Sequence, residues 1–308
     1  MNLRQLQAFV AIHEEGSFNK AAQRLHATQS GLSMQIKLLE ERLGVQLFER
    51  SAQGVTATFA GGRLYATAVD VLARLDGAET ELRMLSGEIT GPLRIGLMPT
   101  FTRGMLAPVL SRFLAAHPNV TVSVIEAYSA DLTEKVAEGR VDFAVVPRQA
   151  ERDGIRARPL GTDREILVRR PGGAVPHLAP LRLADLGPLR LVLPGPGNAR
   201  RDRIEAMIAA EGLPVDKIID MDAMIATLDF VAASDFATIL PETICGKDVE
   251  GGLRWLHPII PALTVSYAVI EPARRALSPA AAAFLDRLGA EYAVSQQQWA
   301  ARLAGAGA

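Results

Sequence analysis

The chain has 308 residues, 33 Lys and Arg against 34 Asp and Glu, 49% apolar residues and a mean hydropathy of +0.15. That length suits about two domains with real cores, and the composition excludes a disordered chain. No run of about 18 apolar residues exists, so no membrane span is expected. Arg4, His13 and two glutamates interrupt any secretory leader, and Cys245, the only cysteine, can close no internal disulfide or CxxC metal site. These features together predict a cytoplasmic protein.

In residues 2 to 14, Leu3, Leu6, Phe9 and Val10 share one face of a predicted helix. A second helix is predicted from Phe18 to Leu25, with Ser17 or Asn19 as N-cap. His26 and Ala27 make a turn, and Thr28 caps a third helix. Leu32, Ile36, Leu39 and Leu43 follow a 4-3-4 spacing on one side of that helix. Ser30, Met34 and Lys37 point the other way, with Ser33 on the flank and Gln29 in the first turn. An amide, two hydroxyls, a cation and an apolar group form a suitable set for reading base edges. An ordinary amphipathic helix with a solvated face is the plain alternative. Residues 1 to 64 carry seven Lys and Arg against five Glu, so charge supports nucleic-acid binding only weakly. Leu43 to Phe59 reads as a hairpin, with Val45, Leu47 and Val55 apolar, Gly54 at the turn and Arg50 placed for a phosphate.

Residues 59 to 86 read as a longer helix. Leu64, Ala68, Val71, Leu75, Ala78, Leu82 and Leu85 alternate 4 and 3, which is coiled-coil spacing and predicts dimerisation. Ser86 to Pro92 breaks it with Gly87, Gly91 and Pro92. Then Leu93 to Leu97, Val120 to Val124 and Val141 to Val146 read as strands, separated by helices near Thr102 to Ala116 and Leu132 to Gly139. This βαβαβ order predicts a parallel sheet with helices on both faces. Arg156 to Leu160 and Glu165 to Val168 read as two strands around a crossing at Gly161-Thr162. A second set follows. It comprises strands at Leu189 to Leu193, Lys217 to Asp220 and Ala237 to Leu240, with helices at Ala199 to Glu211 and Asp222 to Ala233. Val265 to Ile270 returns as a strand, and Pro279 to Leu303 closes the chain as a helix.

The run GSFNKAAQRLHATQSGLSMQIKLLEERLGVQLFERSAQGVTATFAG resembles the winged helix-turn-helix of the LysR-type transcriptional regulators. The matching residues include Gly16-Ser17-Phe18, Ala21-Ala22, Leu25, Thr28-Gln29-Ser30, Leu32-Ser33, Ile36, Leu39-Glu40, Leu43-Gly44, Leu47-Phe48, Arg50 and Thr58. The match is dense over the first sixty or so residues and looser beyond. PVLSRFLAAHPNVTVSV with LTEKVAEGRVDFAVV, and VAASDFATILPE, resemble the effector half of the family. The family often has Arg where this chain has Met34 and a basic residue where it has Gln53.

The resemblance implies three parts. Residues 1–58 form a winged helix-turn-helix domain, residues 59–90 a dimerising linker helix and hinge, and residues 91–308 an effector-binding domain. That domain is an α/β clam-shell of two Rossmann-like subdomains, like periplasmic binding proteins, with subdomain I at 91–161 and 267–308 and subdomain II at 162–266. Thr28, Gln29, Ser30, Ser33, Met34, Lys37, Arg50 and Gln53 would meet double-stranded promoter DNA. Leu64, Val71, Leu75, Leu82 and Leu85 would form the dimer seam. The family also implies a tetramer and contact with RNA polymerase.

Ligands of open α/β sheets lie beyond strand ends, here at Thr100-Phe101-Thr102, Tyr128-Ser129, Pro147-Arg148, Asn198 to Arg201 and Asp222 to Thr227. The resemblance selects Thr100, Thr102, Ser129, Arg148, Asn198 and Thr227 among these. Helix starts near Thr100 and Asn198, with Arg148 and Arg200, suit a small organic anion, and Phe101 and Tyr128 would wall it. No Walker loop, GxSxG elbow, HExxH or CxxC is present, so no enzyme, cofactor or metal is expected. A peroxide-sensing branch of the family uses two cysteines, a switch that Cys245 alone cannot close. The residues leave one rival open: a clam-shell binding protein or enzyme whose N-terminal helices serve only assembly.

Overall fold

The computed structural model describes residues 1–51, 54–84, 88–150, 152–273 and 276–305. Two compact units divide the chain, Met1–Ile89 with Ala273–Pro279, and Thr90–Pro272 with Ala280–Ala308.

The first unit holds α1 (Leu3–Glu15), α2 (Phe18–Arg24), α3 (Gln29–Leu43), the antiparallel pair β1 (Phe48–Ser51) and β2 (Gly54–Ala57), and α4 (Phe59–Met84). Local chemistry sets each boundary. Asn2 and Gln5 form a reciprocal capping box, with bonds of 2.9 and 3.0 Å. Gly16 ends α1 in the left-handed region at φ +59°, and its carbonyl accepts from Val55 N at 3.1 Å, which pins the hairpin. Ser17 caps α2 and Thr28 caps α3, the latter accepting from Gly31 N at 3.2 Å. The core gathers Leu6, Phe9 and Ile12 with Phe18, Ala21, Leu32, Ile36, Leu39, Leu47 and Phe48. Phe48 lies 5.2 Å from Phe9 and 6.2 Å from Phe18, ring to ring. Glu40 accepts from Leu47 N and Phe48 N at 2.7 and 3.3 Å, tying α3 to the first strand of the hairpin.

Some apolar positions expected inside lie outside. Leu3, Leu43 and Val45 are each more than 40% exposed, because the three-helix core ends before it reaches them. On α4, Leu64 and Ala68 pack onto this same core. Gly61 permits that approach, since a Cβ there would lie 2.2 Å from the Leu47 carbonyl oxygen. Val71, Leu75 and Ala78 are exposed further along. The side chain of Leu82, and Leu85 with Ser86 and Gly87, fall outside the described residues.

The second unit opens with β3 (Gly91–Leu97), the single turn α5 (Pro99–Phe101), a π-helical turn (Thr102–Leu106), α6 (Ala107–Ala116), β4 (Val120–Glu126), α7 (Ser129–Ala137) and β5 (Phe143–Pro147). It continues through β6 (Ile155–Arg169), β7 (Leu189–Leu193), α8 (Ala199–Ala210), β8 (Val215–Asp220), α9 (Met224–Ala233), β9 (Thr238–Pro241) and α10 (Glu242–Cys245). It ends with β10 (Trp255–Pro258), β11 (Thr264–Pro272) and α11 (Pro279–Gly305). The main sheet runs β10-β6-β11-β5-β3-β4, with β9 also on β6, while β7 and β8 pair in parallel and touch β9 through a bridge from Leu191 to Ala237. Strands β3, β4 and β5 are parallel, as read, and β11 runs antiparallel between β5 and β6. Two Rossmann-like halves thus share one strand, giving the α/β clam-shell expected.

Two differences concern the crossing. Where two strands are expected around Gly161-Thr162, β6 is one strand of 15 residues. Its first half pairs with β11 and its second with β9 and β10. The break is absorbed by a bulge, where the register steps from Tyr267 opposite Gly161 to Ala268 opposite Pro159. Gly161 lacks a side chain for a steric reason, since a Cβ there would meet Tyr292 Cε1 at 2.3 Å. The last helix also spans both halves. Phe284 packs on Phe113 and Phe143, at 5.2 and 6.2 Å, while Trp299 is buried among Ile166, Val168, Leu228 and Val231.

Candidate functional site

The outer face of α3 is open. Thr28, Gln29, Ser30, Met34 and Lys37 are exposed, and Ser33 is half-buried on the flank. The apolar stripe Leu32, Ile36 and Leu39 is 4% exposed or less, so the polar set faces outward because its opposite side is locked into the core. The Lys37 ammonium is 3.8 Å from Glu41, an exposed pair that costs little to break. Arg50 lies in β1 opposite Val55, and its side chain is outside the described residues, as is Gln53 altogether.

A cleft of about 360 Å³, counted out to its mouth, opens between the two halves of the second unit. Met98, Thr100, Ser129, Pro147 and Tyr267 line it from the first half, and Glu165, Asn198, Ala199, Arg200, Arg203, Pro241 and Val265 from the second. Asn198 caps α8 by accepting from Arg200 N at 3.0 Å, which leaves other N–H groups of the helix start toward the cleft. Arg200 and Arg203 lie three apart on one face of α8, while Arg201 turns away to Glu205, Asp220 and the Pro194 carbonyl.

The other expected residues lie elsewhere. Phe101 is fully buried against Tyr267, rings 4.9 Å apart, so it is core. Thr102 donates to Glu126. The Tyr128 hydroxyl donates to the Asp222 carbonyl at 3.2 Å, joining the two halves outside the cleft lining. Arg148 is exposed and Thr227 is buried in α9, and neither lines the cleft.

Of the lining residues, sequence reasoning missed the apolar Met98, Pro241 and Val265 and, more consequentially, Glu165, Arg203 and Tyr267. Arg203 was legible, because Arg200 and Arg203 share a helical face. Glu165 opens the otherwise apolar run Glu165-Ile166-Leu167-Val168, and a charge at the head of a buried strand is itself a signal. Its carboxyl is 1% exposed, and burial pushes it up to about 7 against the opposing pull of Arg200 and Arg203. Below it, Asp163 is fully buried and accepts from Tyr292 at 2.7 Å, Gln296 at 2.8 Å, and Thr243 N and Oγ1 at 3.1 and 3.0 Å. Burial raises its carboxyl too, and the four bonds restrain the rise. Cys245 is fully buried, and burial pushes its thiol well above the usual range, so it is a poor nucleophile. Among the described residues no cluster of His, Cys, Asp and Glu could hold a metal ion, and no helix is long and apolar enough to cross a membrane.

Comparison with known proteins matches residues 3–62 to the bacterial regulatory helix-turn-helix protein family of the lysR type, and residues 86–293 to the LysR substrate binding domain. The nitrogen assimilation regulatory protein nac of Escherichia coli is 32% identical over 298 residues, covering 94% of both chains. The HTH-type transcriptional regulator GbpR of Azospirillum brasilense is 30% identical over 295 residues, covering 94% of this chain and 86% of its own. Among solved structures, full-length OxyR from Pseudomonas aeruginosa superposes with a TM-score of 0.69 at 22% identity, covering 94% of each chain. Full-length CbnR in complex with its target DNA gives 0.59 at 22% identity, covering 94% of this chain and 99% of its own. These relatives are regulators rather than enzymes. The chain therefore belongs to the LysR family, as a DNA-binding transcriptional regulator with a helix-turn-helix domain and a substrate-binding domain.

Proposed function

We propose that the chain regulates transcription by reading promoter DNA through α3 and by binding a small organic anion in the cleft of its second unit. In this reading residues 1–58 bind DNA. Thr28, Gln29, Ser30, Ser33, Met34 and Lys37 meet the major groove, and the hairpin's Arg50 and Gln53 meet the backbone. Residues 59–90 join two protomers through the exposed part of α4, centred on Val71 and Leu75, with Leu82 and Leu85 continuing the seam. Residues 91–308 bind the effector, pair dimers into a tetramer and present a surface to RNA polymerase, all in the cytoplasm.

One observation carries the effector half. Arg200, Arg203 and the Asn198-capped start of α8 open into a cleft faced by the hydroxyl-bearing Thr100 and Ser129. Two guanidinium groups with a helix N-terminus form a site for a carboxylate or phosphate. Closure on the anion would shift the two DNA-binding heads only if one closure state binds it better.

Thermal unfolding of the full chain across a panel of organic acids, phosphates and amines tests this. A ligand at 100 times its Kd adds about 2.7 kcal/mol of stability. The expected hit is an anion, and Thr100→Val should weaken it by roughly 1–3 kcal/mol. Stabilisation by cations alone, or an anion that ignores Arg200→Met, would overturn the reading.

A further inference from the structure

Among the described residues Glu165 is the one carboxylate lining the cleft, and neither of its buried oxygens has a hydrogen-bond partner within 3.5 Å. Arg203 Nη2 stands 3.6 Å from Oε1, which is an ionic contact beyond hydrogen-bond reach. On the facing helix, Arg200 Nε and Arg203 Nε and Nη2 are also buried without hydrogen bonds. An acceptor and two sets of donors lie in one cavity, and the long Arg203–Glu165 ion pair leaves most of their bonding capacity unused. Buried polar groups rarely stay unbonded, and a cluster of them lining a cavity marks the place of a missing partner.

The charges add a second condition. Two guanidiniums against one carboxylate leave room for one negative charge. A ligand that offered only acceptors would satisfy the arginines while setting its own oxygens against Glu165. A ligand with a donor next to its carboxylate satisfies both sides.

We propose that the cleft selects a small acid bearing a hydrogen-bond donor, hydroxyl or ammonium, beside its carboxylate. The carboxylate is held by Arg200, Arg203 and the start of α8, and Glu165 accepts from the donor. This rests on the organic-anion reading of the cleft and narrows its class. Glu165 then acts as the specificity residue, and a 2-oxo acid of the same skeleton is rejected because it brings an acceptor to an acceptor.

Calorimetry on the full chain at pH 8 or above, where the Glu165 carboxyl is ionised and can only accept, with matched short-chain 2-hydroxy, 2-amino and 2-oxo acids tests it. At least one donor-bearing acid should bind about tenfold or more tighter than its 2-oxo partner, since sites built to bond a donor discriminate strongly against analogues lacking it. Glu165→Gln keeps the volume and can offer either a donor or an acceptor, so it should shrink that ratio to about threefold or less. The parent ratio needs no variant and decides the matter even if Glu165→Gln folds poorly. A 2-oxo acid binding the parent as tightly as its hydroxy and amino partners overturns the proposal while leaving the anion reading intact. So does an unchanged ratio in a folded Glu165→Gln. If none of the acids binds the parent, this inference is overturned, while the anion reading stands or falls on the wider panel of organic acids, phosphates and amines.

Discussion

The hydroxyl of Tyr292 donates to Asp163 at 2.7 Å, so the last helix is bonded to the strand that both halves of the effector domain share. The same ring occupies the space that a side chain at Gly161 would need. The bulged crossing and the closing helix are therefore one construction. Nearby, Arg103 from the first half and Arg254 from the second both bond Asp248, at 2.8 and 3.0 Å.

Removing the hydroxyl with Tyr292→Phe leaves Asp163 with three bonds instead of four. A lost bond to a buried charged group should cost about 1–3 kcal/mol. Gly161→Ala should cost at least as much, because the methyl collides with the ring. Equilibrium unfolding of the full chain measures both, and wild-type stability in either variant would contradict the account.

Glu242 predicts a pH effect. It is 3% exposed, and burial, helped by the Asp163 charge, raises its carboxyl to about 7. A raised acid is held protonated in the fold, so its contribution is most favourable at low pH. Stability is lost as pH rises from the ordinary glutamate range through about 7. Glu242→Gln removes that loss. The variant should gain up to about 3 kcal/mol on the parent at pH 8 and little at pH 5, at about 1.4 kcal/mol per unit. Melting curves across that range check the sign, and a larger gain at the acid end would refute it.

The two ends of the apolar stripe on α4 should behave differently. Leu64 packs on its own domain, whereas Leu75 is 45% exposed. Leu64→Ala should destabilise the N-terminal unit by about 1–3 kcal/mol without changing assembly. Leu75→Asp should remove one association step in sedimentation while leaving the fold stable, because a charge is costly only where a partner buries it. An unchanged mass for Leu75→Asp would show the seam misassigned.

Most of the N-terminal unit was legible because its signals are local. Ser17 and Thr28 cap helices that begin within a residue of where the side chains place them, and Leu32, Ile36 and Leu39 bury as their spacing requires. Leu64 could not be separated from Val71 by periodicity, because both obey it and only the neighbouring core distinguishes them. In the effector domain the parallel strands were readable from apolar alternation. The unity of β6 was not, because it depends on β11, about a hundred residues later, lying opposite its bulge. Trp255 to Pro258 gave no alternation, yet it forms a strand whose His257 is fully buried and held neutral, its ring pushed down to about 4 by burial. The strand-end rule located the cleft but could not say which side chains turn into it. Phe101 turns into the core, Arg148 toward solvent, and Arg203 from α8 lines the cleft.

The most direct test of the central claim compares binding to two duplexes, one selected by the parent protein from a random pool and one of unrelated sequence. Gln29→Ala should weaken binding to the selected duplex by about 1–3 kcal/mol and leave the unrelated one untouched, because base-edge contacts carry sequence information. Arg50→Ala should weaken both alike and flatten the salt dependence by about one counterion. Equal loss on both duplexes for Gln29→Ala would contradict the account, because α3 would then be holding DNA without reading it.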